Sequence, residues 1–388
     1  MFVRLLLVVV AAVLSTESVA AEQTSLGTPP PPPAIGQFDL LASQADDEFV
    51  LPATALQEQA AAESSAGLSA ISPQSAPPVR VQSNSLYNGD GRNGWSIGLG
   101  TAIVQPRWSS NPALYAVRGP VVPFVEERSF NWDPKAAALG WIGFTADEGL
   151  GIRGQWFGFS GNSSPESYFL DGVDVQGFTT PTVGGLSNGF GFPGDTLNAW
   201  SELKLQSIDL EFTKAFNYRR GQYVVSGGSR YAYIGQEYHS TLIDAFDVLQ
   251  GSFDAGHNAA VIGPTAALQA RYPSLAFPRL GLYGKARGGV LFGHANRSAA
   301  IDFGPVANYT ASADVCVPVT EFEVGFDWNR PVGCGSIFVQ TGLAAQTWYG
   351  VGNAAGSSTM SFVPVGVSVT DTSNMGLYGL KLAAGFNF

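Results

Sequence analysis

From Gly94 onward, apolar and polar residues alternate with period two. Trp95, Ile97, Leu99, Thr101 and Ile103 fall on one face, and Ser96, Gly98, Gly100 and Ala102 on the other. A strand sends successive side chains to opposite faces, so this stretch predicts a strand with one greasy side and one small or polar side. The alternation recurs near 137–145, 150–156, 207–213, 223–231, 268–272, 280–292, 321–328, 337–346 and 378–388. Phe322, Val324, Phe326 and Trp328, for example, oppose Glu321, Glu323 and Asp327. The stretch 137–145, with Trp141, is the least regular. The count is about ten strands of roughly ten residues, the length that crosses a bilayer as a tilted strand.

The connections alternate in length. Short turns are expected near 147–149, 217–221, 273–278 and 329–335. Long loops are expected over 105–131, 160–200, 235–257, 294–316 and 350–373. Outer-membrane barrels have short periplasmic turns and longer outer loops. The predicted fold is therefore all-β: one closed antiparallel transmembrane barrel of about ten strands (range roughly 8–12) over residues 94–388, its first and last strands paired. A soluble β-sandwich also alternates. Composition separates the two, because only 13% of residues are charged, against about a quarter in soluble domains. A lipid-facing belt needs no charge. The net charge of −11 leaves no basic surface to replace phosphate counterions, which argues against nucleic acid as a partner.

The first 93 residues read differently. Residues 1–20 form a signal peptide: Arg4, the apolar run Leu5 to Leu14, then Ser18-Val19-Ala20 at the cleavage site. That run is too short to span a membrane. Residues 21–93 are an acidic linker rich in Pro, Ala and Ser, with prolines from Pro29 to Pro33 and a short helical stretch expected at 53–63. Such a segment buries too little apolar area to order itself. It is expected to be a disordered periplasmic tether, with room for a periplasmic partner.

Catalytic and metal motifs are absent from the sequence. The three histidines are scattered and the two cysteines make no framework. His239, Asp244, Asp247, Asp254 and His257 share one predicted outer loop, where they could supply a base and a carboxylate; the competing reading is solvated loop residues. Asp171 and Asp174 are too few for a calcium cage, and Gly189 to Gly194 lacks the lysine of a phosphate loop. No cofactor and no metal are expected.

Period two places the sharper chemistry inside the barrel. The inward bases are Arg153, Arg230, Arg271, Lys285, Arg287 and Lys381. The inward acids are Asp209, Glu211, Glu321, Glu323 and Asp327. These are the candidate pore-lining residues, because buried charges need partners. They would form a solute-selecting constriction or a salt-bridged plug. If Phe292 lies opposite Pro318, Arg287 faces Glu323; if Phe159 lies opposite Leu203, Arg153 meets Asp209. About ten strands sit near the filled end of the barrel series, so passage is narrow or a segment such as 113–125 adds strands. Cys316 is expected at the outer end of the strand 317–328 and Cys334 in the next turn. They would stand roughly 30 Å apart, too far for a disulfide.

The segments Leu203 to Glu211, Gly227 to Ile234, Gly263 to Leu268 and Gly288 to Gly293, then Gln346-Thr347-Trp348 and the closing strand to Phe388, carry a family resemblance. Over roughly 130–388 the chain resembles pore-forming outer-membrane proteins of the Legionella major outer membrane protein type. The resemblance implies a channel and an outer-membrane location. It also implies that the barrel-assembly machinery reads the last strand, through Tyr378, Phe386 and Phe388. The expected function is a narrow or porin-like pore for small solutes, not an enzyme. The competing class is a non-conducting structural or surface-display barrel tethered by its N-terminal segment. Outer-membrane lipid is the one sure partner; the oligomeric state is open.

Overall fold

The computed structural model describes residues 94–388, apart from 120–123, 184, 188–190, 278, 304–305 and 357–372. The signal peptide, the proline run and the helical stretch at 53–63 lie outside the described residues.

Ten strands close into one antiparallel ring. They are β1 (Gly94–Trp108), β4 (Lys135–Thr145), β5 (Leu150–Asn162), β8 (Thr196–Tyr218), β9 (Gly221–Ile243), β10 (Leu249–Pro273), β11 (Leu280–Asp302), β12 (Val306–Val332), β13 (Gly335–Trp348) and β14 (Met375–Asn387). Each pairs with its neighbours, β1 pairs with β14, and β5 pairs with β8, so no strand of the ring is left with a free edge along its whole length. Closure is what hydrocarbon demands, because lipid cannot satisfy backbone N–H and C=O groups. Four short turns and both ends of the barrel chain lie at one end of the ring; five connections lie at the other.

The outer belt follows the period-two reading. Phe322, Val324, Phe326 and Trp328 point outward, while Asp327 is wholly buried. Aromatic rings gather at the short-turn end: Phe216 stacks on Tyr223 at 5.5 Å, Tyr223 meets Tyr272 at 6.0 Å, and Trp95 meets Phe144 at 5.1 Å. Rings of this kind form the interfacial girdle of a membrane barrel.

Three expectations about loops need correction. Residues 235–257 and 294–316 are not long loops. They are the upper halves of β9, β10, β11 and β12; five residues separate β9 from β10 and three separate β11 from β12. Strands β8 to β12 run 23, 23, 25, 23 and 27 residues, whereas a spanning strand needs about 9–11. A five-stranded wall therefore rises beyond the bilayer on one side of the barrel. Residues 113–125 do form strands, but not barrel strands: β2 (Pro112–Arg118) and β3 (Phe124–Ser129) join β7 (Val175–Thr179) in a separate three-stranded sheet. Short β6 (Glu166–Phe169) extends the edge of β8 above β5.

The registers also differ by two residues from those expected. Phe292 lies opposite Cys316, so Arg287 faces Glu321, and Phe159 lies opposite Leu205, so Arg153 faces Glu211. A two-residue slip keeps every side chain on its face, so alternation cannot detect it. Cys316 is correspondingly inside β12 rather than at a strand end, and both cysteines are free.

Candidate functional site in the lumen

The inward faces divide the lumen into three layers. Nearest the short turns, Arg271 donates to Asp327 at 2.7 Å, and Trp141 stacks on Phe338 at 5.9 Å. The middle layer is a charged network carried mainly by β8, β9, β11 and β12. Arg230 forks onto both oxygens of Asp209, at 2.6 and 2.8 Å, and its third nitrogen reaches Glu321 at 2.6 Å. Arg287 joins Asp209 and Glu211, each at 2.5 Å. Arg153 donates to Glu211 at 2.6 Å, and Lys381 to Glu323 at 2.7 Å.

Local sequence explains the reach of Arg230. Strand β10 lies between β9 and β11 and offers only Gly263, Thr265 and Ala267 to this level of the lumen. With no long side chain there, a guanidinium on β9 can touch a carboxylate on β12. Arginine suits the task, since its planar fork binds carboxylates bidentately.

All eleven inward candidates thus sit in the barrel interior, and ten of them form three ion-paired groups: a six-residue network of Arg153, Asp209, Glu211, Arg230, Arg287 and Glu321, and the pairs Arg271–Asp327 and Lys381–Glu323. Sequence reasoning left out their neutral helpers. Gln155 donates to Glu211 at 3.0 Å, Gln346 to Glu321 at 2.5 Å, and the Tyr283 hydroxyl to Glu323 at 2.5 Å. Their inward parity was the available signal.

Around Lys381 the inward faces of β1 and β14 carry small residues. Gly98, Gly100 and Ala102 of β1, with Ala383 and Gly385 of β14, face inward. The Trp141 ring lies so close over Gly98 that a Cβ there would overlap it. Two adjoining cavities, of about 50 and 130 Å³, lie beside the network, and both are lined by Trp141, Gln155, Lys285, Glu323 and Lys381.

The third layer is apolar and closes the lumen at the loop end. Phe130, Trp132, Ala113, Val351, Ala354 and Ala355 come in from connections. They pack on Phe159, Leu203, Leu205, Tyr238 and Trp348 of the barrel. Hydrogen bonds fix them: the Tyr238 hydroxyl donates to the Ala113 carbonyl at 2.7 Å, and Ala354 N–H to Gln236 Oε1 at 3.1 Å. His257 Nε2 meets the Val351 carbonyl at 2.7 Å. Above, Leu114, Ala116, Val175 and Phe178 of the small sheet pack on Leu197 and Leu242 of the wall.

The rim constellation does not assemble. His239 and Asp254 pair at 2.6 Å on the outer face of β9 and β10, while His257 is buried on the inner face. Asp244 accepts from the backbone N–H groups of Phe246 and Val248. Asp171 likewise accepts from Val173, Asp174 and Val175. The N–H of Val175, with that of Val173, holds its carboxyl below the usual carboxylate range, and Arg118 adds to this. Both carboxylates brace turns.

Tyr378 faces outward near the loop end of β14, and Phe388 faces outward just past its short-turn end, where the Phe386 and Phe388 rings lie 5.8 Å apart.

A family model described as the Legionella pneumophila major outer membrane protein precursor matches residues 89–388. The chain belongs to this family. The match begins well before the 130 at which the sequence resemblance becomes apparent, and takes in β1 and the small sheet. It places the protein in the outer membrane, with the short turns periplasmic by the general rule. No curated protein matches the chain. Among solved structures, the outer membrane protease OmpT from Escherichia coli is 11% identical, with a TM-score of 0.39, covering 76% of this chain and 96% of its own. A major outer membrane protein from Thermus thermophilus is 14% identical, with a TM-score of 0.30, covering 76% and 99%. A Pseudomonas aeruginosa FadL homologue is 8% identical, with a TM-score of 0.23, covering 76% and 90%. Such distant likenesses carry no argument about activity.

Proposed function

We propose that the barrel is a narrow pore for water, ions and small solutes, closed at its outer mouth in the conformation described, and not an enzyme. The supporting observation is the pair of adjoining cavities left beside the ion-pair network, both lined by Trp141, Gln155, Lys285, Glu323 and Lys381. A barrel built only as a plug has no need to leave such space within its charged layer. At a liquid share of about 30 Å³ per water, the cavities hold a few waters. Charged groups around such a tract discriminate by charge as well as by size. Passage requires the apolar layer of Phe130, Trp132 and 351–355 to part from the barrel wall. The pore-lining residues in this reading are the charged groups of the middle layer.

A second reading, a non-conducting display scaffold, draws on the same apolar layer and on the wall of β8 to β12. Liposome swelling with sugars of graded size separates the two. Entry of the smallest sugars alone, with exclusion of disaccharides, supports the pore. Exclusion of every solute by correctly folded protein supports the scaffold.

A further inference from the structure

The charges of the lumen do not balance. Among the described residues, six cations of the charged layers face inward, and five carboxylates answer them. Arg153, Arg230 and Arg287 satisfy Asp209, Glu211 and Glu321 among themselves. Arg271 takes Asp327 and Lys381 takes Glu323. Lys285 is left over.

Its geometry is not that of a simple spare. Lys285 lies directly opposite Glu323 in the β11–β12 register, the position where an ion pair would be expected. Glu323 is instead engaged by the Lys381 ammonium at 2.7 Å and the Tyr283 hydroxyl at 2.5 Å. Among the described residues, Lys285 Nζ has one hydrogen bond, to Gln155 Oε1 at 3.2 Å. An ammonium carries three donors. Lys285 lines both cavities, and the larger has a volume of about 130 Å³. The neutral donors Gln269 and Gln340 line the smaller one with it.

We infer that Lys285 and the adjoining cavities form a binding site for a small monovalent anion such as chloride. A surplus positive charge removed from bulk water needs a counter-ion; Asp209, Glu321 and Glu323 also line the larger cavity, but each is already engaged by an arginine or by Lys381. The space admits a halide with a few waters. The site rests on lumen charge and volume, and stands whether or not the barrel conducts.

The test uses the full chain refolded in detergent and exchanged into halide-free sulfate buffer. Chloride is titrated in while the line width of its ³⁵Cl NMR signal is followed. Wild type is expected to give saturable broadening. Lys285→Met should lose it by about tenfold or more in affinity, and Lys285→Arg should keep it. Heat-modifiable gel migration reports that each variant is folded. If Lys285→Met does not fold, wild-type crystals soaked in bromide decide the matter, with an anomalous peak expected beside Lys285 Nζ. No saturable broadening in wild type, equal broadening in folded Lys285→Met, or no bromide peak at Lys285 overturns the site. None of these readouts depends on current, so a failed pore and a failed anion site remain distinguishable.

Discussion

Trp95 and Phe388 exchange both of their backbone hydrogen bonds, Trp95 N–H to the Phe388 carbonyl at 2.7 Å and Phe388 N–H to the Trp95 carbonyl at 2.9 Å. The last residue of the chain is thus the final rung of the seam between β1 and β14. Deleting Phe388 removes that rung and one ring of the aromatic girdle. We expect slower insertion into lipid vesicles and a smaller folded fraction in cells, read by heat-modifiable migration. An unchanged folding rate and yield would remove the role assigned to Phe388.

The Arg230–Asp209 fork is buried, with Arg230 only 2% exposed. A buried ion pair is weak evidence for net stability, yet breaking one strands a charge. Arg230→Met is expected to destabilise the barrel by about 3–5 kcal/mol in urea titrations in vesicles. Asp209→Leu combined with Arg230→Met should cost less than the two single losses added together. Strict additivity would show that the two groups act independently.

The outward face of β12 passes from lipid to water. Val324 lies in the belt, while Ser312 lies in the wall above it. Val324→Arg should cost about 2–4 kcal/mol, the value for a cation at the bilayer midplane, and Ser312→Arg should be nearly neutral. Equal penalties at both positions would place the wall inside the membrane and refute the two-part strand.

This division also explains what the sequence could reveal. Inside the bilayer, Phe322 and Glu323 must part company, so period two is plain there. In the wall, Glu237 and His239 point outward while Gln236 and Ser240 point inward. Water outside removes the demand for an apolar face, and the alternation fades into what reads as loop. Facing was therefore legible for all eleven charged residues. Partner choice was not read correctly: Asp209 was expected to meet Arg153, although the two-residue turn Arg219-Arg220 fixes a register that sets it against Arg230. No short turn joins β5 to β8, so the meeting of Arg153 with Glu211 left no local trace. The apolar plug is assembled from distant connections, and nothing in the separate segments announces it.

The β9–β10 turn should respond to pH. The N–H of Val248 holds the Asp244 carboxyl below the usual carboxylate range, with Phe246 N–H and the Gln250 side chain adding to this against slight burial. The folded-state value is lowered, so the contribution to order is complete above the ordinary carboxylate range. It is lost as pH falls through the lowered value. Amide protection at Phe246 and Val248, corrected for intrinsic exchange, should hold at neutral pH and collapse in acid. Asp244→Asn should weaken it at neutral pH and remove the dependence on pH. Protection that does not change between neutral pH and acid would assign the turn's order to the backbone alone.

The central claim is that a narrow charged tract is stopped by an apolar layer, and single-channel current across a planar bilayer tests it most directly. Wild type is expected to show rare, small openings. Deleting 351–356, which withdraws Val351, Ala354 and Ala355 from the outer mouth, should raise the open probability sharply while the barrel still migrates as folded. A deletion variant that is folded, inserted and as silent as wild type would contradict the pore and leave the scaffold reading in its place.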